Sequence, residues 1–199
     1  MSHHVCPSWM GRLLACPLRR LRQDPDKILT PFVTRGMTVL EVGPAMGFFT
    51  IPVARMVGPT GKVVCVDLQP KMLDAIRHRA DKAKVADRIE TRACGPTSLG
   101  IGDLAGRVDF VLAFFVVHEI PDASRLFHEI VQAMKPGARC LVAEPKFHVS
   151  ERDFDETIAV ATQQGLKLIE RPVIAGSRSA VFSSASEFHV CPDKQERPS

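Results

Sequence analysis

The chain has 199 residues, 45% of them hydrophobic and 24% charged, which excludes a disordered or fibrous protein and fits one globular domain with a sizeable core. A net charge of +4 is too mild to imply nucleic acid by itself. No apolar run reaches membrane-spanning length, and six cysteines spread without a compact framework point to a reducing cytoplasm rather than a disulfide scaffold.

In chain order, Trp9 to Leu21 spaces Met10, Leu13, Leu14, Leu18 and Leu21 among arginines, an amphipathic helical pattern interrupted at Pro17. It reads as a cap over the core or a lid over a substrate pocket. A short helix is expected from Asp26 to Phe32, with Pro25 where a missing N–H costs nothing. Met37 to Val42 is apolar and β-branched, the mark of a strand buried on both faces. The chain then turns at Gly43-Pro44-Ala45-Met46-Gly47 and enters a helix over Phe48 to Met56. A strand, a glycine-bearing turn and a helix in succession aim backbone N–H groups at a ligand, with the positive end of the helix dipole behind them.

A second strand is expected from Lys62 to Val66, ending at Asp67, followed by a helix from Pro70 to Lys84. Arg88 to Ala93 reads as a third strand, and residues 98–106 as a connection. Asp109 to Val117 is a fourth, buried strand, then a helix from Ala123 to Met134 that stops at Lys135-Pro136-Gly137. Ala138 to Glu144 is a fifth strand, and Glu151 to Gln164 a helix. Leu166 to Ile174 and Ser179 to Ser184 face each other as an antiparallel hairpin. Five β/α repeats closed by a hairpin make a Rossmann-like, doubly wound α/β sheet, mostly parallel with a C-terminal antiparallel strand. The expected division is an N-terminal cap over 1–23, one domain over 24–186 and a polar tail over 187–199.

The turn decides the ligand class. The dinucleotide fingerprint would need glycine at 43, 45 and 48, where this chain has Gly43, Ala45 and Phe48, and no P-loop is present. Glu41 at the strand's carboxyl end suits a cationic ligand carrying an ammonium group. Asp67, about twenty residues beyond the turn, stands where a ribose diol is held. Each also has a plainer reading, Glu41 as a strand-end carboxylate and Asp67 as a helix cap.

The pattern Glu41-x-Gly43-x-Ala45-x-Gly47 resembles motif I of the class I S-adenosylmethionine-dependent methyltransferases, with Ala45 in place of a glycine. The resemblance covers about residues 24–186 and implies S-adenosyl-L-methionine as cofactor. Glu41, Gly43, Ala45 and Gly47 would then hold the methionine moiety, Asp67 the ribose, and Leu68 and Met72 the adenine. The run Ala113 to Asp122, AFFVVHEIPD, is similar to the strand-four motif of the ubiquinone-biosynthesis-like small-molecule group. There Ala113 would lie along the cofactor and His118 would be the candidate base, either catalytic or a cap on the next helix; Glu119 and His148 rank behind it. Where the family commonly shows Gly-Asp-Ala after strand three, this chain has Cys94-Gly95-Pro96, so Gly95 remains but the adenine carboxylate does not; backbone groups or Ser98 would serve instead.

The expected activity is methyl transfer to a small molecule. An RNA or protein acceptor, or a non-catalytic cofactor-binding regulator, are the alternatives. The absence of an N/D-P-P-Y/F run argues against DNA amino-methylation. His4-Val5-Cys6-Pro7 and His189-Val190-Cys191-Pro192 could together offer a tetrahedral zinc set, but their spacing is not the usual one, and no metal site is assigned.

Overall fold

A computed structural model describes residues 22–185. The amphipathic run over 9–21, the two His-x-Cys tetrapeptides and most of the polar tail lie outside them. Seven strands form one sheet in the order β3-β2-β1-β4-β5-β7-β6. These are β1 Thr38–Val42, β2 Lys62–Asp67, β3 Ile89–Ala93, β4 Val108–Phe114, β5 Met134–Pro145, β6 Lys167–Glu170 and β7 Ser177–Ser183. Only β7 runs against its neighbours, slotting between β5 and β6. The helices are α1 Pro25–Leu29, α2 Thr50–Val57, α3 Pro70–Ala83, α4 Ala123–Ala133 and α5 Glu151–Gln163.

Alternation along the strands sorts side chains between two cores. Leu40, Val42, Val64, Val66, Val111 and Ala113 pack under α4 and α5 with Phe127, Ile130, Phe154 and Ile158. On the other face Val39, Val63, Cys65, Phe110 and Leu112 pack under α1, α2 and α3 with Leu29, Val53, Leu73 and Ile76. Both faces of the central strands are covered, which is why they read as continuous apolar runs.

The chain winds outward from β1 through β2 to β3, then returns to lay β4 against the other side of β1. This reversal leaves a crevice at the carboxyl ends of β1 and β4, the place where open α/β sheets bind ligands. Several boundaries differ from the sequence reading. Strand β4 stops at Phe114 rather than Val117, because Phe115 takes a left-handed backbone (φ +62°) and residues 117–119 form a 3-10 turn. Helix α2 begins at Thr50, leaving Phe48 and Phe49 in the turn. Lys135-Pro136-Gly137 ends α4 but belongs to the start of β5, and β6 keeps only Lys167–Glu170 of the longer run expected.

Candidate active site

A cavity of about 230 Å³ opens at this switch point, walled mainly by apolar groups. Its floor is the β1–α2 turn. Gly43 has φ +62°, and a Cβ there would stand 2.4 Å from Val116 Cγ2, so only glycine lets the turn and the residues after β4 meet. Ala45 holds φ +50° despite its side chain, a conformation that costs an L-residue roughly 1–2 kcal/mol. Phe48, Phe49, Phe114 and Phe115 line the wall in a chain of ring contacts, with centroids 5.0, 4.4 and 4.6 Å apart in succession.

Alternation along β1 sends Glu41 to the face covered by α2, where Thr50 Oγ1 donates to Glu41 Oε2 at 2.6 Å and the Cys65 thiol lies at 3.7 Å. The side chain is almost wholly buried, and burial raises its pKa to about 7 against the lowering effect of Thr50 and Cys65, with the nearby Asp67 charge adding to the rise. Asp67 closes β2 and accepts from the Gln69 amide at 2.8 Å. Burial lifts its pKa to about 6, opposed by bonds from the backbone of Gln69 and Ala45 and reinforced by Glu119. Two carboxyl groups whose charges are made expensive by burial flank one glycine turn; a cation or a diol donating hydrogen bonds would stabilise both ionised forms.

Among the residues singled out from sequence, Glu41, Gly43, Ala45, Asp67, Leu68, Met72 and Gly95 line the cavity, as does Ser98. Three do not. Gly47 faces the α3 side, where its Cβ position lies 3.3 Å from Ile76 Cγ1, so its φ of +79° shapes the turn from behind. Ala113 is fully buried inside β4, and the wall beside it is made by Phe114, Phe115 and Val116. His118 sits next to the cavity rather than in its wall. Its Nδ1 bonds Glu144 Oε2, its ring stacks on His148 with centroids 5.9 Å apart, and its Nε2 lies 3.9 Å from Glu119 Oε1. Glu119 does line the cavity. His118 does not cap α4; Asp122 does, accepting from the Arg125 amide at 2.9 Å.

Two further residues complete the site: Glu144, which the sequence placed near the chemistry at the carboxyl end of its strand without giving it a role, and Glu129, which the sequence did not single out. Glu144, 1% exposed, accepts from the Val117 amide at 2.8 Å through one oxygen and holds His118 with the other. Burial pulls the His118 pKa down, but the bond and charge of Glu144, with Glu119, outweigh it and leave it raised. Glu129, from α4, reaches the loop after β3 and forms part of the cavity wall. Only the position of Glu144 at the end of a buried strand hinted at its role; nothing local marks Glu129. No group of three or more His, Cys, Asp or Glu among the described residues could hold a metal ion.

Residues 39–137 match the methyltransferase domain family. The chain is 31% identical to an arsenite methyltransferase of Halobacterium salinarum over 109 residues, 55% of this chain and 27% of that protein. It is 30% identical to the ubiquinone/menaquinone biosynthesis C-methyltransferase UbiE of Enterobacter sp. (strain 638) over 112 residues, 56% of this chain and 44% of that protein. The match thus spans less than half the length of either relative. A solved S-adenosylmethionine-dependent methyltransferase from Aquifex aeolicus superimposes with a TM-score of 0.79 at 22% identity, covering 90% of this chain and 98% of its own. The fold, the glycine turn at the switch point and the matched segment together place the chain in the class I S-adenosylmethionine-dependent methyltransferase family.

Proposed function

We propose that the protein transfers the methyl group of S-adenosylmethionine to a small-molecule acceptor. The observation that carries this reading is the pairing of Glu41 and Asp67 at one cavity beneath the glycine turn, two buried carboxyls suited to an ammonium-bearing nucleoside. Glu41 and the turn would hold the methionine end, Asp67 would accept from both ribose hydroxyls, and Leu68 and Met72 would flank the base. The aromatic wall of Phe48, Phe49, Phe114 and Phe115 would exclude water from the sulfonium. Bound there, S-adenosylmethionine would supply the methyl group by in-line displacement, the acceptor's lone pair forming the new bond to carbon and the bonding pair of the broken carbon–sulfur bond remaining on sulfur. The chain's task is alignment, and removal of a proton where the acceptor has one to lose.

His118 is the proton acceptor in this reading. Glu144 fixes its Nδ1 side, which leaves Nε2 to face the acceptor from the carboxyl ends of β4 and β5. A small-molecule acceptor accords with the two relatives, one an arsenite methyltransferase and one a C-methyltransferase of quinone biosynthesis.

Calorimetric titration with S-adenosylmethionine tests the cofactor reading. Wild-type protein should bind, and Asp67→Ala should lose roughly a hundredfold or more in affinity, as expected when two hydrogen bonds to a charged group are removed. Unchanged affinity in that variant would overturn the assignment. Formation of S-adenosylhomocysteine on incubation with a panel of phenols, quinols and trivalent arsenic then tests turnover.

A further inference from the structure

Adenine carries an amino group that donates hydrogen bonds, and the stretch where related chains place its carboxylate reads Cys94-Gly95-Pro96 here. Ser98 offers the amino group only a neutral oxygen that is already engaged. Its hydroxyl donates to Glu129 Oε2 at 3.2 Å, and its oxygen accepts from the Gly100 amide at 3.1 Å. The acidic group that reaches this corner comes instead from α4. Glu129 Oε2 also accepts from the Leu99 amide at 2.8 Å, so the side chain is pinned to the loop by two donors on one oxygen. Its other oxygen, Oε1, meets Arg125 Nε at 3.4 Å, a long contact from a guanidinium that is more than half exposed. A carboxylate oxygen has two lone-pair sites, and this one keeps capacity to accept.

Five carboxyl groups line the cavity: Glu41, Asp67, Glu119, Asp122 and Glu129. Glu41 and Asp67 flank the glycine turn, Glu119 stands beside His118, and Asp122 caps α4. Glu129 is bonded to the loop over 95–99, whose residues share the cavity wall with Leu68 and Met72. We infer that Glu129 accepts a hydrogen bond from the adenine amino group through Oε1, so that a helix supplies the carboxylate that the loop after β3 lacks. The inference rests on the S-adenosylmethionine reading of the cavity, and its test separates the two.

S-adenosylhomocysteine and S-inosylhomocysteine, in which a carbonyl oxygen replaces the amino group, are titrated into wild-type protein, Glu129→Gln and Ser98→Ala. In Glu129→Gln the Leu99 and Ser98 donors retain the amide oxygen, which turns the NH2 group toward the base. The adenine ligand should weaken tenfold to hundredfold while the inosine ligand holds or gains, so the preference between them collapses or reverses. Ser98→Ala loosens the loop without altering Oε1, and it should shift both affinities by a common factor. A partly unfolded preparation lowers the binding-competent fraction but not the ratio of the two affinities, so the ratio is the deciding quantity. An unchanged ratio in Glu129→Gln overturns the inference. Failure of wild-type protein to bind S-adenosylhomocysteine overturns the cofactor reading instead.

Discussion

At Ala45 a methyl group stands in a left-handed backbone position that related turns give to glycine. The strain is of the kind that persists only where surrounding structure enforces it. Ala45→Gly should therefore stabilise the protein by about 0.5–1 kcal/mol, the relief of strain being partly offset by the greater freedom of glycine in the unfolded chain. Chemical denaturation checks this, and a loss of stability would mean that the Ala45 methyl makes packing contacts worth more than the strain. Gly43 is the opposite case. Gly43→Ala would place a methyl 2.4 Å from Val116 Cγ2 at φ +62°, and it should cost about 3 kcal/mol or more and narrow the cavity. Loss of binding to S-adenosylhomocysteine in the same variant is the functional readout. Both residues were legible as turn positions because backbone geometry is a local property. What Gly43 makes room for was not, since Val116 approaches from the segment after β4, far along the chain.

The strands and helices of the sheet were legible almost throughout, because burial on both faces writes an unbroken apolar run and Gly or Pro punctuates its ends. The ends facing the site were read less well. Strand β4 looks apolar through Val117, yet it terminates at Phe114 because the Phe115 amide bonds Ala143 O (2.7 Å) across to β5 while its backbone turns left-handed. That tertiary contact moves Ala113 into the core and brings Phe114 to Val116 into the wall. It also sets up the bridge between two elements that the sequence could not reveal: Glu144 at the end of β5 grips the 117–119 turn after β4. Glu144→Gln keeps an acceptor for the Val117 amide but removes the negative charge beside His118. The His118 pKa should then fall toward or below its ordinary value near 6.5, which an NMR titration of the imidazole reads directly without any acceptor. If the imidazole titrates identically in both proteins, Glu144 does not set its protonation. Where a proton-bearing acceptor is turned over, the acid limb of the pH–rate profile should move the same way.

Three perturbed groups at the site act in one direction. Glu41 and Asp67 bind their protons more tightly folded than unfolded, with pKa values near 7 and 6, and His118 is also raised. Between about pH 4.5 and 7 the folded state therefore carries more protons than the unfolded state, and stability falls as pH rises through that window. For Glu41 alone the change is on the order of 3 kcal/mol, with a smaller contribution of the same sign from Asp67. The His118 contribution is fully present below its unfolded value and disappears as pH climbs through the raised one. The lowered carboxyls of Glu90, Asp103 and Asp153, all on the surface, work the other way only at more acidic pH. The cofactor-free protein should thus be more stable at pH 5 than at pH 8, losing melting temperature across that range. A bound ammonium-bearing nucleoside favours the ionised carboxylates and offsets that loss. S-adenosylmethionine should therefore raise the melting temperature more at pH 8 than at pH 5.5, and binding should release protons, detected as a dependence of calorimetric heat on buffer ionisation enthalpy. Glu41→Gln keeps an acceptor for Thr50 while removing the charge. It should flatten the pH dependence of the cofactor-free protein and weaken S-adenosylmethionine about tenfold at pH 8. A ligand-induced shift of equal size at both pH values would show that the buried carboxyls do not meet the cofactor's positive charge.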